Sequence, residues 1–347
     1  MNLLLKRILY YITDHGKGHA TRSIAVIREL QKKGIEVIIR NSNVTEFLHK
    51  SLPDTSILPG ITDMGPTIKS DGISIDEIST VNNVGKWIDK LNDTSEAECE
   101  IISKIQPQLI VSDISPMPIL AAKKLQKNCI AISNFSWYDV LKLLPQSKLE
   151  ILEHAYDDAN LAIQLPIGTS MEHFKHKCKV GLVARKSTLS RTQLRKKFGI
   201  KDSEFVVTLA LGGSQNTIKL RGDKNVKILS MNAIIKNTDN VIDLSDWVEG
   251  EEVVLASDFV ICKCGYGMIS ECLSNGVPFR YISDDNHLEQ KAMSKELSER
   301  GLANKITFQE INNLYLDKNY LSSLQEVKKE FLDTANVIKY MSEFLEN

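Results

Sequence analysis

Residues 7–40 read RILYYITDHGKGHATRSIAVIRELQKKGIEVIIR. The stretch opens on an apolar run of strand length, 7–13. A loop with two glycines and two histidines follows. From Arg22 the apolar residues recur at helical spacing as far as Gly34, and 35–40 is a second apolar run. Strand, helix and strand in so short a span form a βαβ unit, which requires parallel strands and a right-handed crossover.

The same alternation continues in both directions. The region 41–80 is irregular, punctuated by Pro, Gly and Asp, and a long helix is expected over 81–105. Strands are expected in PQLIVSDIS (107–115), CIAISN (129–134) and NLAIQLP (160–166), with helices over 116–127 and 138–158. Residues 166–190, with Pro166, Gly168 and Gly181, read as a connection. The pattern then restarts with strands in FVVTLALGG (205–213), NVKILSM (225–231), NVIDLSD (240–246), SDFVICK (257–263) and VPFRYIS (277–283). Helices are expected over 267–276, 287–300 and the tail, 320–345. The expected organisation is α/β: two Rossmann-like domains, 1–166 and 167–320, each with a doubly wound parallel sheet. A C-terminal helix within 321–347 packs back toward the first domain. Ligands of such sheets sit at the carboxyl ends of the strands, which for two facing domains means a cleft between them.

Composition narrows the function classes. The chain has 347 residues, 25% of them charged, with a net charge of −1. That balance gives no sign of a nucleic-acid partner. The six cysteines are scattered apart from Cys262 and Cys264, so a reducing cytoplasm is expected rather than a disulfide framework. MNLLLKRILYYIT is interrupted by Lys6 and Arg7, and it reads as a first buried strand, not a leader. No segment approaches the ~18 apolar residues of a spanning helix. A peripheral membrane contact stays open.

The loop after the first strand poses the chemical question. Gly16 and Gly18 allow close backbone approach to a ligand, and the helix N-terminus behind them attracts anions. Thr21 stands where a dinucleotide fingerprint needs its third glycine, and no P-loop lysine follows. A plain strand-to-helix turn is the competing reading. His19 adds a candidate general base for near-neutral pH. Asp113 ends another strand and is placed to orient that histidine or, alternatively, to cap the next helix. In KCGYGMISE (263–271), Lys263 and the first-turn N–H groups after Gly265 suit a diphosphate, and Glu271 suits ribose hydroxyls. DDNHLEQ (284–290) offers polar groups for a sugar. Trp247 is either a stacking platform for a base or a core residue. Cys262, Cys264 and Cys272 lack zinc-site spacing, and there is no Asp-x-Asp to hold a metal on a nucleotide diphosphate.

GKGH in the first loop, LALGGSQ (209–215) and SDFVICKCGYGMISECLSNGVPFRYISDDNHLEQ (257–290) together resemble the GT-B nucleotide-sugar glycosyltransferases. These include the UDP-glycosyltransferases and the enzyme that adds N-acetylglucosamine to the lipid precursor of peptidoglycan. YYITDHGKGHATR, ISNFSW and KCGYGMISE give a closer resemblance to the N-terminal region of plant L-arabinokinases. The resemblance spans nearly the whole chain. It implies inverting, metal-independent transfer of a sugar from a UDP sugar to an acceptor hydroxyl, with no cofactor. It also implies His19 as base and Asp113 as its partner. Trp247 would stack on the nucleobase. Gly16, Gly18, Gly213, Ser214, Lys263, Gly265, Tyr266 and Gly267 would line the donor and its diphosphate. Glu271 would hold ribose, and Glu289 with Gln290 would hold the donor sugar.

The sequence departs from that pattern at Lys263, where relatives carry histidine, and at Met268, where they carry serine. Only about a dozen residues separate Gly213 from the next strand, too few for the usual helix. His15 rivals His19 as base, and Arg22 contacts either a ligand or its own helix surface. The acceptor pocket is expected from 41–80 and from SWYDVLKLLPQSKLEILEHAY (136–156). Two other functions fit the same residues: a sugar-nucleotide epimerase or hydrolase, and a sugar-nucleotide-binding regulator without turnover.

Overall fold

The computed structural model describes residues 6–212, 217–235, 240–324 and 326–346. Gly213 and Ser214 lie outside the described residues. The chain forms two compact units. The first comprises Met1–Thr67, Ile75–Val183 and Leu332–Asn347; the second comprises Ile68–Ser74 and Ala184–Phe331.

The first unit is built on seven parallel strands: β1 (Arg7–Ile12), β2 (Glu36–Arg40), β3 (Ser56–Leu58), β4 (Leu109–Asp113), β5 (Cys129–Ser133), β6 (Leu161–Gln164) and β7 (Lys177–Lys179). Their order is β3-β2-β1-β4-β5-β6-β7. Helices cover both faces of the sheet, so β4 and β5 are buried at every position and are apolar up to their polar carboxyl ends, Ser112–Asp113 and Ser133. The order reverses between β1 and β4, whose register pairs Ile12 with Asp113. Such a reversal opens a crevice at the carboxyl ends of the two strands.

The second unit repeats this plan with six parallel strands, in the order Val241–Asp243, Val226–Ser230, Phe205–Ala210, Phe259–Lys263, Phe279–Ile282 and Asn304–Lys305. Its reversal lies between Phe205–Ala210 and Phe259–Lys263, with Ala210 opposite Cys262. Val207, Leu209, Phe259 and Ile261 centre one buried cluster, to which Ile73 contributes from early in the chain.

Several elements differ from expectation. The unit boundary falls at 183/184 instead of 166/167, because β7 extends the first sheet beyond Pro166. The helix expected over 81–105 is two, Glu77–Asp89 and Leu91–Ile105. That expected over 138–158 is also two, Trp137–Val140 and Gln146–Asp157. Pro145 supplies no N–H and biases the residue before it away from helix. In the tail, helix forms at Lys318–Ser322 and Thr334–Glu343; the latter packs on the first helix, Lys17–Lys32. Among the described residues, no helix is long and apolar enough to cross a membrane.

Candidate active site

The first unit places His19 and Asp113 together at its strand reversal. Asp113 closes β4, and His19 lies in the first turn of the helix that follows β1. Gly16 begins that helix at φ 80°, a conformation that favours glycine, and no side chain caps it. A Cβ on Gly16 or Gly18 would meet nothing within 4 Å. The first-turn N–H groups are therefore uncapped and approachable, as an anion or acceptor site requires.

His19 Nδ1 lies 2.8 Å from Asp113 Oδ1, with the imidazole 7% exposed. Asp113 is fully buried and also accepts from Arg22 Nε at 2.9 Å and Ser23 Oγ at 2.8 Å. Arg22 Nη2 reaches the other carboxylate oxygen, and Nη1 reaches Asn134 Oδ1. Burial would raise the Asp113 carboxyl, but Arg22 and His19 outweigh it and hold it at about 2. Asp113 is thus ionised at neutral pH, and His19 Nδ1 lies within hydrogen-bond distance of both its Oδ1 and, at 2.5 Å, Arg22 Nη2. His19 Nε2 has no partner among the described residues. Burial, then the nearby Arg22 charge, lower the His19 pKa, so the imidazole is neutral at pH 7.

Backbone strain gathers around this cluster. Ile114, next to Asp113, has φ 68°, and Ile167, whose carbonyl accepts from Asn134 Nδ2, has φ 58°. Positive φ at a β-branched residue costs about 1–3 kcal/mol and persists only where the surroundings enforce it. Tyr156 Oη donates to the Ile114 carbonyl at 2.6 Å. Gly168 has no alternative residue, since a Cβ there would collide with the Asn134 backbone carbonyl.

His15 sits elsewhere in the loop, edge-on to Trp137 with ring centroids 5.4 Å apart. Arg22, left open between ligand contact and helix surface, is buried within the cluster. Its spacing from His19, one helical turn, was the available signal. Asn134, Ser133 and Ser23 were not singled out from sequence; the polar end of CIAISN is the only trace of the first two, and Ser23 lies on the first helix, next to Arg22.

In the second unit, Lys263 ends its strand at the reversal, and Gly265 begins the helix Tyr266–Asn275 without a side-chain cap. Tyr266 and Gly267 form its first turn. Lys263 Nζ donates to the Gly72 carbonyl at 2.7 Å. Burial lowers the Lys263 pKa, opposed by Glu289 and Asp71. Glu271 is 1% exposed and accepts from Arg185 Nε at 2.9 Å. Arg185 Nη1 also donates to the Val248 carbonyl at 2.7 Å, which ties the Trp247 segment to Glu271. Arg185 was not singled out from sequence, and Glu249 and Glu251 lie against it as well. Trp247 packs with Phe198 and under the Lys197 ammonium, beside an apolar cluster. Trp247 is half-buried and packs against the edge of that cluster. Gln290 is buried and accepts from the Asp284 N–H at 2.9 Å. Glu289 stands in the first turn of the helix Leu288–Glu299. Cys262, Cys264 and Cys272 are buried free thiols. No group of three metal-ligating side chains gathers among the described residues.

Comparison with known proteins agrees with this architecture. The model of Glycosyl transferase family 1 matches residues 6–199. L-arabinokinase of Arabidopsis thaliana is 27% identical over 297 residues, 81% of this chain. The chain spans only 28% of that protein's length. The glycosyltransferase SnogD from Streptomyces nogalater superposes with a TM-score of 0.63 at 11% identity, covering 98% of this chain and 100% of its own. Arabidopsis thaliana UGT89C1, complexed with UDP-L-rhamnose, superposes with a TM-score of 0.59 at 12% identity, covering 98% and 94%. These likenesses show the GT-B fold.

Proposed function

The chain belongs to glycosyl transferase family 1, and we propose that it is an inverting transferase that moves a sugar from a UDP sugar to an acceptor hydroxyl. Family and fold support transfer from a nucleotide sugar in general. The observation that carries the finer reading is His19 beside an ionised Asp113 at a strand reversal, its Nε2 without a partner among the described residues.

In this reading Nε2 takes the proton of the acceptor hydroxyl. The oxygen forms a bond to the anomeric carbon as the bond from that carbon to the diphosphate oxygen breaks. The electron pair leaves with the nucleoside diphosphate. Attack opposite the leaving group inverts the anomeric centre. Asp113 stays ionised and stabilises the imidazolium, while Arg22 holds Asp113 in place. Lys263 and the uncapped N–H groups at the start of Tyr266–Asn275 face the developing phosphate charge, a role that other enzymes give to a metal. Glu271 would take ribose hydroxyls while Arg185 holds one of its oxygens. UDP as carrier is supported by the UDP-L-rhamnose complex of the structural relative.

The test is release of UDP from UDP sugars in the presence of hydroxyl acceptors, with the product's anomeric configuration read by NMR. Inversion in the wild type, and loss of turnover in His19→Ala with nucleotide binding kept, supports the mechanism. Retention of configuration or full turnover in His19→Ala overturns it.

A further inference from the structure

Asp63 lies in the irregular stretch 59–66, outside every motif described above. It is 2% exposed. Its carboxylate accepts three hydrogen bonds: Thr13 Oγ1 at 2.7 Å, the Asp14 N–H at 3.1 Å and Trp137 Nε1 at 2.9 Å. All three partners donate, so the arrangement suits the ionised form. No ion pair among the described residues serves it.

The three donors lead to the histidine loop by two routes. Thr13 and Asp14 are the root of that loop, directly ahead of His15 and Gly16. Trp137 is fully buried and meets the His15 ring edge-on at 5.4 Å. Trp137 also meets Phe135 at 5.4 Å, and Phe135 meets His19 at 5.4 Å. Gly65, two residues from Asp63, comes so close that a Cβ would press on both the His15 ring and Trp137.

We infer that Asp63 is the positioning residue of the histidine loop, holding its backbone root through Thr13 and Asp14 and its aromatic wall through Trp137. The inference rests on His19 being the base. Burial pushes the Asp63 carboxyl up to about 7, against the hydrogen bonds from Thr13 and Trp137. The ionisable groups bearing on it are Asp14, whose carboxylate is held by the N–H groups of Ser42, Asn43 and Thr62, and the buried Tyr156 phenol. The loop is therefore held most firmly above neutral pH, where Asp63 is ionised.

Asp63→Asn gives a specific probe. The amide oxygen still accepts from Thr13 and Asp14, while the amide N–H₂ is set against the Trp137 N–H, donor against donor. The readout is the imidazole ¹H–¹⁵N correlations of the intact chain's seven histidines. Asp63→Asn should shift the His15 and His19 signals. It should leave His19 nearly unmoved in a Trp137→Phe background, where the opposing donor is gone. Unmoved His15 and His19 signals in folded Asp63→Asn, or an equal His19 shift in both backgrounds, would overturn the inference. If Asp63→Asn does not fold, Thr13→Val removes a donor from Asp63 but also the acceptor of the His15 N–H, so the His19 signal alone is read. A shift of His19 then supports the inference, and an unmoved His19 signal overturns it. A wrong base assignment shows separately, as retained turnover in His19→Ala.

Discussion

Asp113→Asn perturbs the centre of the first unit most sharply. Both carboxylate oxygens accept from Arg22, Oδ2 from Nε and Oδ1 from Nη2. Whichever way the asparagine amide turns, its N–H₂ faces an arginine donor. The substitution also leaves the buried Arg22 and His19 without the charge that faces them. Removing one partner of a buried ion pair costs about 3–5 kcal/mol. For a unit of 150–250 residues, each kcal/mol lowers Tm by about 2–4 °C, so a fall of roughly 6–20 °C is expected. Loss of the carboxylate charge beside Nδ1 destabilises the imidazolium, and turnover should fall on the order of 10²–10⁴-fold. Acid denaturation supplies an independent reading. Asp113 sits at about 2 in the folded chain, below its ordinary value. Its contribution, about 2–3 kcal/mol, is complete above pH ~4 and disappears as the pH falls toward ~2. Asp113→Asn should flatten that acid limb. Melting and denaturant titrations across pH 2–7, with nucleotide binding as a control on the second unit, make the assay. A variant that melts within ~1 °C of wild type and keeps its acid limb would refute the reasoning.

Other substitutions follow from the same contacts. His19→Ala should lower turnover at least ~100-fold, whereas His15→Ala should lower it less; steady-state rates of the two variants decide between the histidines. Gly168→Ala forces a Cβ against the Asn134 carbonyl. It should cost about 1–3 kcal/mol in denaturant unfolding, the scale of overpacking. Burial and the Glu271 charge push Glu251 up to about 8, with Arg185 pulling the other way. Because that folded value exceeds the unfolded one, stability present at low pH is lost as the pH rises from ~4 toward ~8. Glu251→Gln should therefore melt close to wild type near pH 4 and above it at pH 8.

Much of the fold could be read directly from sequence, for an identifiable reason. Runs such as LYYI, LIVS and CIAIS are buried on both faces, so their apolar character is continuous and marks central parallel strands. His19 and Asp113 were legible for a related reason, since each closes a strand or opens a helix where such sheets bind ligands. Arg22 was ambiguous because its partners Asp113 and Asn134 lie 91 and 112 residues away. Asp63 was hidden because the stretch around it has no period, and its value lies in three donors that only the folded chain assembles. Arg185 likewise reads as one more charge after an apolar run until Glu271 and Glu251 close on it. The boundary at 183/184 escaped notice because β7, KCK, carries no apolar signature; backbone pairing with β6 defines it.

The central claim is a sugar-nucleotide transferase whose second unit holds a nucleoside diphosphate at the turn 263–271 without metal. The most direct measurement is the Tm of the wild type, Lys263→Met and Glu271→Gln with UDP, UDP-glucose and dTDP in the presence of EDTA. A ligand that binds only the folded chain raises Tm by mass action, by about 2.7 kcal/mol of stability at a hundredfold excess over Kd. The account predicts a rise with UDP or UDP-glucose in the wild type that both variants lose. A wild type that none of the three nucleotides stabilises, or variants that respond as the wild type does, would contradict it.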